Sequence, residues 1–319
     1  MLYEKFSKVI PVALNPALDI TLSVDGLSDE KINTVLSESV DAAGKATNVS
    51  KVLHNFGVEN TVMILAGREN ADNYFRILSE APEEEQICWQ VIYNPGFIRE
   101  NLHIILPTGG LVTVRRKGFT VTEEVKAEVF ARVNEVVEEN ALIMLCGRFP
   151  EGFDSTDFRE LCAVIKSKGG KIAVDSNSVT MEDLKAVQPW LIKPNLEELE
   201  QYTECSYDNE KEMTAKLAEL NRIGIENIIL TLGGDGLIFS GGGACFKVEV
   251  PDVKVLSPVG AGDSTLSGFV VGIQKGMCVE DSVKLAASFG SAAVMLEGTK
   301  PPRREDVDII YQGVTRKTI

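Results

Sequence analysis

Six short runs of apolar, mostly β-branched residues punctuate this chain: KVIPVA (Lys8–Ala13), TVMILA (Thr61–Ala66), LIMLC (Leu142–Cys146), KIAVD (Lys171–Asp175), WLIK (Trp190–Lys193) and NIILTL (Asn227–Leu232). Each is continuous rather than alternating, as expected of strands buried on both faces. Helical patterns lie between them, at Ala46–Phe56, Thr122–Glu139, Ser155–Lys168, Asn195–Tyr202 and Asn209–Ile223. This order predicts an α/β fold, a mostly parallel central sheet with helices on both faces.

Two regions break the alternation. Asp19–Leu27 with Lys31–Val40, and Ile87–Gly118, carry short, more polar strand-like runs separated by turn residues. Thr108–Gly110 (TGG) lies between two of these runs and predicts a hairpin. Residues 19–40 and 87–118 are therefore expected to form a small β-sheet lid. No Pro/Ser-rich linker and no internal repeat divides the sequence, so residues 1–319 read as one domain with the lid as an excursion.

The charge balance narrows the partners. With 32 Lys plus Arg against 47 Asp plus Glu, the net charge is −15. A field of that sign argues against nucleic acid and against anionic membrane surfaces. It leaves room for an anionic small molecule, because a site can concentrate a few cations. No run reaches the roughly 18 apolar residues of a membrane span, and MLYEKFSKVIPVALNP lacks the features of a secretory leader. The 6 cysteines are scattered without a C-x-x-C pair and read as reduced thiols. The 2 histidines, His54 and His103, show no zinc-ligand spacing. A cytoplasmic enzyme is the expectation.

The stretch with the most chemistry is PVGAGDSTLSGF, Pro258–Phe269. Leu266, Phe269, Val270 and Ile273 follow it at helical spacing, and Gly276 is a plausible stop. Gly260, Ala261 and Gly262 thus sit at a helix N-terminus, where unpaired N–H groups can converge on an anion. Asp263 lies in the first turn. It could simply cap the helix. A dinucleotide loop fits poorly, since Thr265 occupies the third glycine position of G-x-G-x-x-G, and no P-loop is present. In phosphoryl transfer the amides would meet the transferring charge and Asp263 would accept a proton from the attacking hydroxyl.

PVGAGDSTLSGF resembles the C-terminal signature of ribokinase-like carbohydrate kinases, the PfkB family. Four more stretches agree in order: NPALDITLSVDGL (Asn15–Leu27), AAGKATNVSKVLHNFGV (Ala42–Val58), LIKPNLEELE (Leu191–Glu200) and LTLGGDGLIF (Leu230–Phe239). They are similar to the 1-phosphofructokinase and tagatose-6-phosphate kinase branch. The resemblance implies a three-layer α/β sandwich with a β-lid, and ATP with Mg²⁺ phosphorylating a sugar or sugar phosphate, most simply fructose 1-phosphate to fructose 1,6-bisphosphate. It implies Asp263 as the base and Gly260, Ala261 and Gly262 as the anion hole. Thr231, Gly233, Gly236 and Gly290 would border ATP, although FGSAA (Phe289–Ala293) is equally the composition of close helix packing. Asn195 and Glu198 would support Mg²⁺ through water, or form a capping box, or both. Asp19, Gly44, Lys45, Asn48 and Arg99 would hold the sugar phosphate. A lid-to-lid homodimer is a further implication, and a K⁺ requirement is left open. A sugar-phosphate sensor without catalysis is the non-enzyme alternative, disfavoured by the retained Asp263, Asn195 and Glu198.

The departures from the branch fall on the acceptor side. Ala43 and Ala46 stand where glycines are usual around Gly44 and Lys45, and a methyl group there would narrow a sugar cradle. Ile98, Asn101 and His103 replace the usual neighbours of the lid arginine. Arg148, in CGRFPEGF, stands in place of a serine just after a predicted strand end, where α/β ligands bind. It is expected to reach the γ-phosphoryl or the substrate phosphate.

Overall fold

The computed structural model describes residues 2–80, 86–296 and 298–319. Among these, ten strands form one sheet. Its parallel part comprises β1 (Val9–Ala13), β4 (Thr61–Gly67), β5 (Cys88–Asn94), β8 (Leu142–Cys146), β9 (Lys171–Asp175), β10 (Leu191–Ile192) and β11 (Asn227–Thr231). The antiparallel strands β12 (Leu237–Gly241), β13 (Ala244–Glu249) and β14 (Thr315–Lys317) extend one edge. Strand order is β14-β13-β12-β11-β10-β9-β8-β1-β4-β5. The chain leaves β1 toward β4 and β5 and later returns to β1's other side with β8. That reversal is where open α/β sheets bind ligands, beyond the carboxyl ends of the strands.

The continuous apolar runs are buried as expected; β1 and β8 are buried at every position. Two hydrophobic clusters cover the two faces of the sheet. One contains α1 (Lys45–Asn55), α2 (Ala71–Ser79), α8 (Ala261–Gln274), α9 (Val279–Ala293) and α10 (Arg304–Gly313). The other contains α3 (Glu123–Val136), α4 (Ser155–Ser167), α5 (Met181–Val187), α6 (Leu196–Thr203) and α7 (Glu210–Arg222). This is the predicted three-layer sandwich.

The helices α8 and α9 run against each other along a seam of small residues. A Cβ on Gly268 would lie 2.7 Å from Phe289 Cγ and 3.0 Å from Ala286 Cα. One on Gly272 would lie 2.6 Å from Ser282 Oγ, and one on Gly290 only 2.3 Å from Thr265 Oγ1. Thr265, Gly268 and Gly272 therefore meet Gly290, Ala286 and Ser282 in antiparallel order. The seam fixes the N-terminal turn of α8 relative to α9.

Four strands form the second sheet, in the order β3 (Val35–Ala43), β2 (Ala17–Val24), β6 (Arg99–Ile105), β7 (Leu111–Arg115). The expected hairpin joins β6 to β7. The expectation for residues 87–118 needs correction at its start: β5 pairs in parallel with β4 and is the edge of the main sheet. Its polar alternation reflects an edge position with exposed Cys88, Gln90 and Tyr93, not membership of the lid.

Register gives the small sheet two unlike faces. Asp41, Asp19, Asn101 and Arg115 lie opposite one another across its four strands. The next row on the other face is Val40, Ile20, Leu102 and Val114, followed by Glu38, Leu22, Ile104 and Val112, with Glu38 on the outer strand β3. One face is thus polar and the other apolar, and these apolar side chains remain half-buried or exposed. Strand β3 runs directly into α1 through Gly44, so the polar face is joined to the carboxyl end of the main sheet.

Candidate active site

The turn at the start of α8 is built by Gly260, which sits at φ +82°, the left-handed region that disfavours any Cβ. Ala261, Gly262 and Asp263 form the first turn. No side chain caps this helix. Asp263 points away from the helix amides and accepts a hydrogen bond from Asn48 Nδ2 of α1 at 2.8 Å. The capping alternative is therefore not what the carboxylate does. Asp263 is 5 % exposed. Burial raises its pKa from 3.8 to about 6; Lys45 and Asn48 oppose that shift, and the Asp175 charge adds to it. A carboxylate so placed is mostly ionised at neutral pH yet basic enough to take a proton.

Two residues not foreseen as part of the site complete this floor. Asp175 ends β9 and is 2 % exposed. Its Oδ1 accepts from Lys45 Nζ at 2.9 Å, and its Oδ2 lies 3.4 Å from Lys193 Nζ. The second distance is that of an ion pair rather than a full hydrogen bond. Burial pushes the Asp175 pKa up, but the two lysines outweigh it and the net direction is down. Lys45 is likewise held above its usual value, because Asp175 and Asp263 overcome the penalty of burial. Lys193 follows β10 and is 4 % exposed. A Cβ on Gly262 would lie 3.0 Å from its Nζ, so this cation stands against the glycine turn. The signal in the sequence was a charged residue terminating each apolar run, KIAVD and WLIK.

The acceptor-side expectations are partly redirected. Gly44 caps α1 at φ +118° and Lys45 begins the helix. Both Lys45 and Asn48 turn toward carboxylates, Asp175 and Asp263 respectively. Asn48 Oδ1 remains buried without a partner. Ala43 and Ala46 are each 1 % exposed, and Ala46 belongs to the hydrophobic cluster beneath. Their methyl groups are taken up by packing, so the expected narrowing of an open cradle does not occur.

On the lid's polar face, Asp19 accepts from Asn101 Nδ2 at 2.6 Å, and Arg99 donates to Asn101 Oδ1 at 3.1 Å. Arg99 is held by these contacts and is not a freely solvated strand residue. Burial lowers its pKa; Asp19 opposes this, while Arg115 and Arg148 reinforce it by repulsion. Arg99 thus shares one field with two further guanidinium groups and with Asp19, and Asp41 lies opposite Asp19 on the same face. Arg148 is exposed, just past the end of β8. Arg115 was not among the expected site residues; its cross-strand place opposite Asn101 needed the register.

On the other side of the α8 turn lies a cleft of about 480 Å³ bordered by Asn195, Thr231, Gly233, Gly236, Gly262 and Gly290. Gly236 has φ +85°, and a Cβ there would lie 2.0 Å from Val248 O, so glycine is required. Gly233 borders open space, and Gly290 serves both helix packing and the cleft wall. Asn195 and Glu198 form the capping box of α6: Asn195 Oδ1 accepts from Glu198 N at 2.7 Å, and Glu198 Oε2 from Asn195 N at 3.0 Å. Among the described residues no group of three or more His, Cys, Asp or Glu is placed to hold a metal directly. Magnesium bound chiefly by phosphates and water needs only one or two protein carboxylates, and Glu198 beside the cleft fits that role.

The comparisons with known proteins agree with this geometry. The family model for pfkB family carbohydrate kinases matches residues 12–306. A 1-phosphofructokinase of Vibrio cholerae is 28% identical over 307 residues, covering 96% of each chain. A tagatose-6-phosphate kinase of Staphylococcus epidermidis is 27% identical, covering 96% of this chain and 98% of the relative. The crystal structure of Escherichia coli phosphofructokinase-2 in complex with potassium superposes with a TM-score of 0.87 at 22% identity, over 96% of this chain and 98% of that one. The match across nearly the whole sequence places this chain in the pfkB family of carbohydrate kinases.

Proposed function

We propose that the chain transfers the γ-phosphoryl of ATP to a sugar phosphate, most simply fructose 1-phosphate, giving fructose 1,6-bisphosphate and ADP. The observation that carries the proposal is the buried Asp263 beside the free amides of the α8 turn, with the cleft on one side and the arginine-bearing lid face on the other. In the transfer, the acceptor hydroxyl oxygen bonds to the γ-phosphorus as the bond to the bridging oxygen of ADP breaks. The hydroxyl proton passes to the Asp263 carboxylate. Amides of Ala261 and Gly262, with Lys193 Nζ, meet the charge on the moving phosphoryl. Thr231, Gly233, Gly236 and Gly290 border the nucleotide. Asn195 and Glu198 would hold magnesium through water, and it would supply Lewis-acid neutralisation of phosphate charge.

The acceptor's phosphate is drawn to Arg99, Arg115 and Arg148. Set against Asp19 and Asp41 on the same face, they leave an excess of positive charge on a chain whose net charge is −15. Asp19 and Asn48 Oδ1 take sugar hydroxyls. Removing one charge-assisted bond costs about 1.5–3 kcal/mol, so Arg148→Ala should raise KM for the sugar phosphate roughly 10- to 100-fold while KM for ATP stays. An unchanged sugar-phosphate KM removes Arg148 from the site. The assay that decides the function is ATP turnover against fructose 1-phosphate, tagatose 6-phosphate and unphosphorylated fructose. Highest kcat/KM on tagatose 6-phosphate reassigns the acceptor, and turnover with none of them overturns the proposal.

The apolar face of the lid is proposed to pair with the same face of a second copy. Ile20, Leu22, Leu102, Ile104, Val112 and Val114 give it a continuous hydrophobic surface across the three strands β2, β6 and β7, of the kind that marks an interface. Sedimentation velocity should give the mass of a dimer for the intact chain and of a monomer for Ile104→Asp. A monomeric parent chain would sink this pairing.

A further inference from the structure

We infer that Asp175 is a positioning residue for phosphoryl transfer, one buried carboxylate that holds Lys45 and Lys193 apart from Asp263 and aims them at either side of the reacting centre. The inference rests on the kinase reading above. Asp175 touches neither the cleft nor the lid face and acts only through the two lysines. Lys45 Nζ, at 2.9 Å, comes from the start of α1 on the acceptor side. Lys193 Nζ, at 3.4 Å, comes from the strand end on the nucleotide side and abuts Gly262.

A buried ion pair is weak evidence for a stabilising role, because desolvation offsets the attraction. What Asp175 achieves is better read from the charges around Asp263. Lys45, Lys193, Asp175 and Asp263 together are neutral while Asp263 is ionised. When Asp263 accepts the hydroxyl proton, the group becomes +1 beside the phosphoryl in flight. The cation is then present in the transition state and balanced in the ground state, which is the condition for acceleration. Without Asp175 the lysines would be free to fold onto Asp263, which would make it a weaker base and withdraw both cations from the phosphates. Cys146, on β8 beneath the group, adds no charge, since burial and the two carboxylates hold its thiol protonated.

The two perturbations have opposite signs. Asp175→Asn removes an anion from beside Asp263, so the acid limb of the kcat–pH profile should move down by about half to one pH unit, with kcat lowered at least tenfold. Lys193→Met removes a cation, so the same limb should move up. Both are measured on folded protein at saturating ATP and sugar phosphate, with circular dichroism as the check on folding. If Asp175→Asn does not fold, the upward movement in Lys193→Met tests the arrangement from its other side. A merely structural role for Asp175 predicts a lower melting temperature and an unmoved acid limb in both variants, and that outcome overturns the inference. An inactive parent enzyme would instead indict the kinase reading itself.

Discussion

Asp263→Asn should lose turnover and gain stability at neutral pH. Replacing a general base removes its proton-transfer advantage, about 10²–10⁴-fold in kcat. The gain in stability follows from the direction in which the protein shifts this group. The folded state raises the Asp263 carboxyl from 3.8 to about 6, so folded protein binds the proton more tightly than unfolded chain does. Stability attributable to this residue is therefore greatest below pH 4, falls as pH rises from about 4 to 6, and stays low above that. The full difference corresponds to about 3 kcal/mol. Asparagine carries no charge and can still accept from Asn48, but its own amide needs an acceptor, which takes back part of the gain. A net stabilisation of about 1–2 kcal/mol at pH 8 is expected, shrinking toward zero or reversing at pH 4–5. Paired thermal melts at the two pH values measure it. Near-parent kcat would end the assignment of Asp263 as base, and a variant equally destabilised at both pH values would end the claim of a stability sacrifice.

Gly268→Val should be strongly damaging, with destabilisation of at least about 3 kcal/mol. Overpacking a well-filled core costs about 1–3 kcal/mol when neighbours can yield. Here even a Cβ meets Phe289 and the Ala286 backbone at 2.7–3.0 Å, and both lie on a helix packed at its far side by α10. Relief requires α9 to withdraw from α8 along the whole seam. Gly290 moves with it, and Thr265 and the Ala261–Asp263 turn lose their backing. The surviving folded fraction should therefore show reduced kcat as well as a lower melting temperature. Gly26→Ala is the control, since a Cβ there meets nothing within 4 Å. A Gly268→Val protein as stable as this control would show that the two helices separate easily.

What could be read from the sequence divides along physical lines. Strands buried on both faces announced themselves as continuous apolar runs, and β8 and β9 begin and end where those runs do. The edge strands did not. CWQVIYN alternates because an edge strand is only half covered, and that alternation resembles the lid's. Strands β12 to β14 were missed too: β12 is buried throughout but only five residues long, and β14 is three exposed residues at the sheet edge. At the site, Asp263 and its glycines were legible because a local turn and a helix start suffice to define them. Asp175 and Lys193 were not, because their meaning is long-range: Lys45 and Asp175 are 130 residues apart, and Asn48 and Asp263 are 215 apart. The contacts of Lys45 and Asn48 with Asp175 and Asp263 were hidden for the same reason. A sequence shows that a lysine follows a glycine, but not which carboxylate its ammonium will find.

The two-faced lid sets a rule for how this sequence can drift. Its side chains alternate with a period of two, so inserting one residue into β6 before Asn101 would exchange the faces of the segment beyond it. His103 and Ile105 would turn to the outer surface, and Leu102 and Ile104 would replace them on the face that carries Asp19 and Asn101. Inserting two residues keeps the phase and only lengthens the strand. The turn between β6 and β7 has no such parity and can absorb residues one at a time, as can the end of β2, where the pairing is already irregular between Ser23 and Val24. Length variation in the lid should therefore accumulate at its rim and come in even steps within its strands.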